Sequence, residues 1–97
     1  MKTLPKKIHY SGFDYEVIEV ERLDGRETWG RTSFESQTIH IEKGISFQRK
    51  MQTLIHEILH IAYHHTSNVL DDKTEEDIVT TWSVNIYGIL EDNGFLK

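Results

Sequence analysis

The chain has 97 residues, of which 28% are charged and 37% hydrophobic, so we expect one domain, 1–97, with a small core. Its net charge is −5 and it has no basic block, which argues against nucleic-acid binding through phosphate neutralisation. It has no cysteine, so no disulfide can stabilise the core, and a cytoplasmic location is the simpler expectation. No apolar run has the length of a membrane span or follows the pattern of a secretory signal, so neither is expected.

Two strands are predicted near the beginning of the chain. Lys6–Tyr10 is a short segment that follows a proline, and it could form an edge strand. Phe13–Val20 alternates apolar and polar residues, which predicts a second strand. Ser11 and Gly12 form a turn signal between the two segments, so the strands could pair as a hairpin.

The segment Glu21–Glu35 is polar and contains two glycines, so it is predicted to be mostly loop. Trp29, Arg31 and Phe34 are the residues that stand out within it. They could line a substrate cleft, because loops often carry binding residues. Alternatively, Trp29 and Phe34 cover the small core, and the sequence leaves both interpretations open.

A further strand is predicted over Ser36–Lys43, which contains β-branched residues. Ile39 and Ile41 should share one face of this strand, with His40 on the other. His40 is therefore expected on the sheet surface rather than at a metal. If this strand lies at a sheet edge, an extended peptide could pair with it through backbone hydrogen bonds.

The next segment, Ser46–His65, is predicted to be a helix with Ser46 as its N-cap. Its apolar residues recur at spacings of three and four and mark one side of the helix. These residues are Met51, Leu54, Ile55, Ile58, Ile61 and Ala62. His56 and His60 fall largely off that side, so a packed face and a face open to a cleft can coexist on one helix.

The segment His56–His60 has two histidines four residues apart, with Glu57 directly after the first. On an α-helix, residues i and i+4 lie on one face about one turn apart, so both imidazoles can bind one ion. Glu57 can then act as general base on a water molecule held at that ion. The alternative is a pair of solvated histidines on an amphipathic helix.

A second helix is predicted after a polar connection. Thr74 and Asp77 fit a capping box, with Thr74 as N-cap, and Asn93-Gly94 suits the helix end. The apolar residues of this segment predict a buried stripe along one side. They are Ile78, Val79, Trp82, Ile86, Ile89 and Leu90.

A catalytic zinc ion needs three protein ligands and one open position. Because the chain has no cysteine, a carboxylate from the second helix is the natural third ligand. Glu76, at the flank of the apolar stripe, is favoured over Glu75, although both acids could simply complement the helix dipole. His64 lies one turn beyond His60 and is expected at the surface. An acid could also orient one histidine through its distal N–H; the candidates are Asp71, Asp72 and Asp77.

Three segments carry a resemblance to a known family: the motif His56–His60, the preceding strand Gln37–Ile41 and the following segment Glu76–Val79. In these segments the chain resembles the small ImmA/IrrE-type metallopeptidases, especially the short versions of phages and mobile elements. The resemblance implies an α+β fold of the minimal zincin type, with a small antiparallel sheet of about three strands, an active-site helix and a second C-terminal helix. It implies Zn²⁺ held by His56, His60 and a downstream glutamate, with Glu57 as base. Larger members cleave repressors, so the expected partner is a protein or peptide substrate, with a repressor-type regulator as one candidate.

Three functions follow as hypotheses. The first is a zinc-dependent peptidase in which Glu57 activates the attacking water. The second is a binding protein that keeps the scaffold and the metal site without turnover, because the chain is small and offers no obvious oxyanion donor; by residue type the candidates are Tyr63, Tyr87 and His64. The third is a structural zinc site with four protein ligands, against which the position of Glu57 argues.

Overall fold

The computed structural model describes residues 3–23, 29–66 and 69–95, and these residues form an α+β fold. It contains strands β1 (Lys7–Tyr10), β2 (Phe13–Val20), β3 (Gly30–Ser33) and β4 (Thr38–Glu42), and helices α1 (Phe47–Thr66) and α2 (Asp72–Asp92). Neither helix, over the described residues, is long and apolar enough to cross a membrane.

The four strands form one sheet in the order β1-β2-β4-β3. β1 and β2 pair antiparallel through a two-residue turn, Ser11-Gly12, as predicted. Both turn residues have positive φ, 51° and 88°, which is the backbone geometry that matches the twist of a tight hairpin. Glycine adopts a positive φ at little cost, which explains why Gly12 in the sequence predicts a turn.

The sheet is mixed rather than antiparallel, and it has four strands where about three were expected. β2 and β4 run parallel, and β3 pairs antiparallel with β4 from Gly30↔Ile41 to Ser33↔Thr38. The prediction of loop over Glu21–Glu35 is therefore wrong for β3, and residues 24–28 of that segment lie outside the described ones. β3 has four residues and no apolar alternation, so only its pairing with β4 defines it as a strand.

This strand order corrects the expectation that the strand preceding the metal helix could be a sheet edge. β4 lies between β2 and β3, so both of its backbone edges are already paired. The free edges belong to β1 and β3. A peptide that adds to the sheet beside α1 would therefore have to pair with β3.

The core lies between the sheet and α1. Its buried residues are Leu4, Tyr15, Ile39, Ile41, Leu54 and Ile61. Ile39 and Ile41 share the buried face of β4, as the alternation predicts. α1 begins at Phe47, and Oγ of Ser46 accepts a hydrogen bond from the Arg49 amide at 3.1 Å, which confirms Ser46 as its N-cap.

α2 packs mainly against α1, so the layers run sheet, α1, α2. Val79 and Ser83 are buried on this helix. The predicted buried stripe is wrong for Ile78, Trp82 and Ile89, which are 42%, 57% and 58% exposed. The apolar residues of α2 extend around more of the helix than one neighbouring helix can cover, and periodicity alone does not show where that neighbour lies.

The beginning of α2 also differs from the prediction. Asp71, not Thr74, is the N-cap, and its carboxylate accepts hydrogen bonds from the Thr74 amide at 2.8 Å and the Thr74 hydroxyl at 3.0 Å. These bonds, the backbone one first, lower the pKa of Asp71. The far end agrees with the sequence, because Asn93 is the C-cap and Gly94 follows with φ 72°.

Candidate metal centre

Three side chains from the two helices meet at one point. Nε2 of His56 and Nε2 of His60 lie 3.2 Å apart, as expected for histidines one turn apart on α1. Glu76 of α2 reaches both, with Oε1 2.9 Å from Nε2 of His60 and Oε2 3.1 Å from Nε2 of His56. These three residues form a group whose ligand atoms all lie within 4.8 Å of one another.

The spacing of these donors fits a small divalent ion. Ligands bound to zinc at about 2.0–2.1 Å in a tetrahedron are separated by about 3.3 Å. The two imidazole nitrogens lie 3.2 Å apart, which is close to that length. Glu76 approaches them with different oxygens, at 2.9 and 3.1 Å, and one ligand atom from each of the three residues can be chosen within 4.8 Å of the others. Two imidazoles and a carboxylate are also a donor set found in catalytic zinc sites, and three donors leave a fourth position for solvent.

Glu75 contacts the other side of the same histidine. Its Oε2 lies 2.6 Å from Nδ1 of His60, and both side chains are only 18% exposed. This bond favours a proton on Nδ1, which leaves the Nε2 lone pair directed towards Glu76 and His56. Burial, the largest influence, lowers the pKa of His60, but the Glu75 hydrogen bond and the charges of Glu57 and Glu76 together raise it above the ordinary value.

Glu76 is held in turn by a residue on its own helix. The hydroxyl of Thr80, one turn further along α2, donates to Oε2 of Glu76 at 3.2 Å. The Glu76 side chain is 54% exposed, so this bond restrains a carboxylate that solvent could otherwise reorient. The i,i+4 spacing of Glu76 and Thr80 is visible in the sequence and could have drawn attention to this pair.

Glu57 lies on the side of α1 that faces the edge strand β3. The residue is 7% exposed, and the Thr32 hydroxyl donates to its Oε1 at 2.6 Å. Gly30 passes so close that an added Cβ would lie 3.3 Å from both Cγ and Oε2 of Glu57, and 2.5 Å from Cγ2 of Thr53. The absence of a side chain at Gly30 therefore lets β3 approach the helix and hold the carboxylate.

Comparison with protein-family models, with curated proteins and with solved structures finds no match. What the centre can do must therefore be argued from its own geometry.

A cavity of about 600 Å³ connects these residues. Its lining includes His56, Glu57, His60 and Glu76, and the volume is within the range of small-molecule sites. The metal donors and the candidate base thus share one solvent-accessible space, as a hydrolytic site requires.

Of the three residues singled out in the predicted loop, two line a cleft and one covers the core. Trp29 and Arg31 line the cavity. Phe34 instead packs against the core and stacks on His64, with ring centroids 3.9 Å apart. The expectation of His64 at the surface is confirmed, because this residue is exposed.

Other candidates are engaged elsewhere. The hydroxyl of Tyr63 accepts from the amide of Leu70, and that of Tyr87 donates to Glu91 at 3.1 Å, so neither lines the cavity. Among the hydrogen bonds of residues 3–23, 29–66 and 69–95, the acid that contacts a metal-helix histidine from its distal side is Glu75, not one of the three aspartates considered above. The roles of Gly30 and Thr32 could not be read from the sequence, because β3 has no apolar alternation that would predict a strand.

Proposed function

We propose that this chain is a zinc-dependent peptidase that hydrolyses a peptide bond of a protein or peptide substrate. The observation that carries the proposal is the convergence of His56, His60 and Glu76 in the same cavity as the buried carboxylate of Glu57. A Zn²⁺ ion at these three groups would polarise a peptide carbonyl and make a water molecule acidic enough to attack it. The resemblance of the motif to ImmA/IrrE-type enzymes, and with it a minimal zincin fold of phage or mobile-element type, belongs to this proposal.

The roles of the residues follow from their contacts. Glu57 takes a proton from the attacking water and passes it to the leaving amine nitrogen. Thr32 restrains one oxygen of Glu57, so the other remains for proton transfer. Glu75 keeps His60 in the tautomer that presents Nε2. Within residues 3–23, 29–66 and 69–95 three donors converge rather than four, which supports a catalytic position open to solvent over a closed structural site.

One observation favours a second candidate, a metal-holding protein that binds a regulator without cleaving it. The side chains suggested as oxyanion donors, Tyr63, Tyr87 and His64, are absent from the described lining of the cavity. A peptidase without such a donor would depend on the ion alone to stabilise the developing charge. The two candidates share the metal centre and differ only in turnover.

The deciding experiment uses a Glu57→Gln variant. Protein purified without chelators should contain one zinc per chain by mass spectrometry of the metal, in both the parent and the variant. The parent should cleave peptides in a mixed library, and Glu57→Gln should lose at least about a hundredfold, within the range attributed to a general base. Glu16→Gln, an exposed glutamate change on β2, is the control and should cleave like the parent.

Each other outcome has a clear meaning. A Glu57→Gln variant that cleaves as well as the parent would contradict the mechanism. Zinc at full occupancy with no cleavage by the parent would favour the binding protein. Protein that takes up no zinc would refute both candidates.

A further inference from the structure

The cavity extends beyond the metal donors towards the N-terminal end of α1, where Arg49 and Trp29 line it. Arg49 precedes His56 by seven residues, which corresponds to about 10 Å along a helix that rises 1.5 Å per residue. The cavity therefore has two chemically different ends, one with the metal donors and one with an arginine. The arginine end is not needed to hold an ion.

Arg49 is held in place by neutral groups. Its Cζ lies 4.3 Å from the centroid of the Trp29 ring, and its Nη1 donates to Oε1 of Gln52 at 3.4 Å. A guanidinium over an indole face is a favourable cation–π arrangement that also limits the rotamers of the long side chain. Among the described residues no carboxylate forms an ion pair with Arg49. The N–H donors of Arg49 that do not contact Gln52 are thus available to a ligand.

The charge of the cavity favours an anionic ligand once an ion is bound. The carboxylates in the described lining are Glu57 and Glu76. A divalent cation at the three donors would balance their two charges, so no carboxylate of that lining would then offset the charge of Arg49. The whole chain has a net charge of −5, so this concave region would attract anions on an otherwise acidic molecule.

We infer that Arg49, supported by Trp29, is a subsite for a carboxylate of the peptide substrate. An extended peptide rises about 3.3 Å per residue, so a carbonyl at the metal donors places a residue about three positions away beside Arg49. The length of the arginine side chain widens this range to two to four positions. The inference deepens the proposed function and rests on it, since the distance is counted from the metal donors. The carboxylate can belong to an aspartate or glutamate side chain or to the peptide C-terminus.

The test uses the zinc-loaded full chain and a library of tryptic peptides with blocked N-termini, with cleavage sites read by mass spectrometry. Aspartate, glutamate or the peptide C-terminus should be enriched two to four residues from the cleaved bond, on one side of it. Arg49→Gln should reduce that enrichment about fivefold, as expected for an ion pair formed by an exposed arginine. Arg49→Lys should keep part of it, because the charge remains without the stacked fork.

Lys73→Gln is the matched control, because it removes an exposed cation of α2 that pairs with Asp77. It should leave the enrichment unchanged. The enrichment is a ratio within one sample, so partial unfolding of a variant does not alter it. Synthetic peptides that differ only in glutamate against glutamine, or in a free against an amidated C-terminus, identify the source of the carboxylate. An enrichment that is absent, or that persists in Arg49→Gln, would overturn the subsite.

Failure of the proposed function can be distinguished from failure of the subsite. If the parent cleaves nothing, binding is measured instead, through the NMR signal of the Arg49 side-chain Nε–Hε group in the zinc-loaded protein. Glutamate-containing peptides that shift this signal, where their glutamine counterparts do not, would support the carboxylate subsite without turnover. Equal shifts of the Arg49 signal by the glutamate and glutamine peptides would overturn the carboxylate subsite.

Discussion

Glu75 and Glu76 are adjacent in the chain but contact opposite nitrogens of His60. Glu75 lies 2.6 Å from Nδ1, and Glu76 lies 2.9 Å from Nε2. Neighbouring residues on a helix point about 100° apart, so the two carboxylates can reach both sides of one imidazole ring. In the proposed metal site, Glu76 would be the donor and Glu75 the partner that orients the ring.

This division predicts different losses of zinc affinity. Glu76→Gln replaces a direct ligand and should weaken zinc binding more than Glu75→Gln, which removes an orienting partner and should cost roughly 10–100-fold. Competition with a chromophoric chelator measures both affinities. Glu91→Gln, near the end of α2, is the control and should bind like the parent. A larger loss in Glu75→Gln than in Glu76→Gln would reverse the assignment.

The raised pKa of His60 predicts a pH dependence for the metal-free protein. Burial works against the protonated ring, but the hydrogen bond to Glu75 and the charges of Glu57 and Glu76 outweigh it. The protonated form is therefore favoured by folding, and its contribution to stability is fully present below the unfolded pKa of about 6.5. That contribution is lost as the pH rises through the higher folded pKa.

Thermal unfolding of the metal-free chain across this range, together with an NMR titration of the His60 ring, measures the effect. Glu75→Gln removes the first of the influences that raise the pKa of His60, so its folded pKa should fall relative to the parent. Zinc competes with the proton for Nε2, so zinc affinity should increase with pH over the same interval. A folded His60 pKa below 6.5 in the parent would contradict the prediction.

The hydroxyl of Thr32 is predicted to support Glu57. Thr32→Val keeps the shape of the side chain but removes the donor to a buried carboxylate oxygen, which should cost about 1–3 kcal/mol in the free energy of unfolding. In a zinc-loaded variant, kcat should fall while the zinc content stays unchanged. Thr38→Val is the control, because the Thr38 hydroxyl contacts Ser36 at 2.9 Å and not Glu57. It should change the free energy of unfolding and kcat less than Thr32→Val does. Equal effects of the two substitutions would contradict the role of Thr32.

Several features of the fold are determined by local sequence and could be predicted from it. The spacing of His56 and His60, the cap at Ser46 and the turn at Ser11-Gly12 each follow from contacts within a few residues, and the structure agrees with all three. Glu76 does lie beside both histidines, because its place in the first turns of α2 could be read from the helix period, and its role as third metal donor stays a prediction. These features depend on helix and turn geometry alone.

The missed features depend on contacts between distant parts of the chain. Thr32 precedes Glu57 by 25 residues, and their contact exists only because β3 pairs with β4 at the edge of the sheet beside α1. The central position of β4 is likewise a property of the whole sheet. A four-residue strand without apolar alternation gives the sequence no period to read, so neither feature could be predicted from it.

The corrected orientation of α2 predicts which of its apolar residues support the fold. Val79 is 5% exposed, so Val79→Ala should lower the free energy of unfolding by roughly 1–2 kcal/mol. Trp82 is 57% exposed, so Trp82→Gln should change it by less than about 1 kcal/mol despite the larger side chain. Chemical denaturation of the two variants tests this order. A greater loss of unfolding free energy in Trp82→Gln than in Val79→Ala would support the buried stripe predicted from the periodicity.

Gly30 provides a test of how closely β3 must approach the metal helix. An alanine Cβ there would lie 2.5 Å from Cγ2 of Thr53, so Gly30→Ala should cost about 1–3 kcal/mol and displace the strand that holds Glu57. Gly44→Ala is the control, because a Cβ at Gly44 meets nothing within 4 Å. Its effect on stability should be within about 0.5 kcal/mol.

A second substitution identifies the cause of the Gly30→Ala loss. Thr53→Ser removes the methyl group that the new Cβ would strike, so the double variant should recover part of the stability lost by Gly30→Ala alone. Cleavage by the zinc-loaded double variant should recover with it, because β3 can then return towards Glu57. Strict additivity of the two substitutions in denaturant unfolding would show that the contact between Gly30 and Thr53 does not limit the approach of the strand.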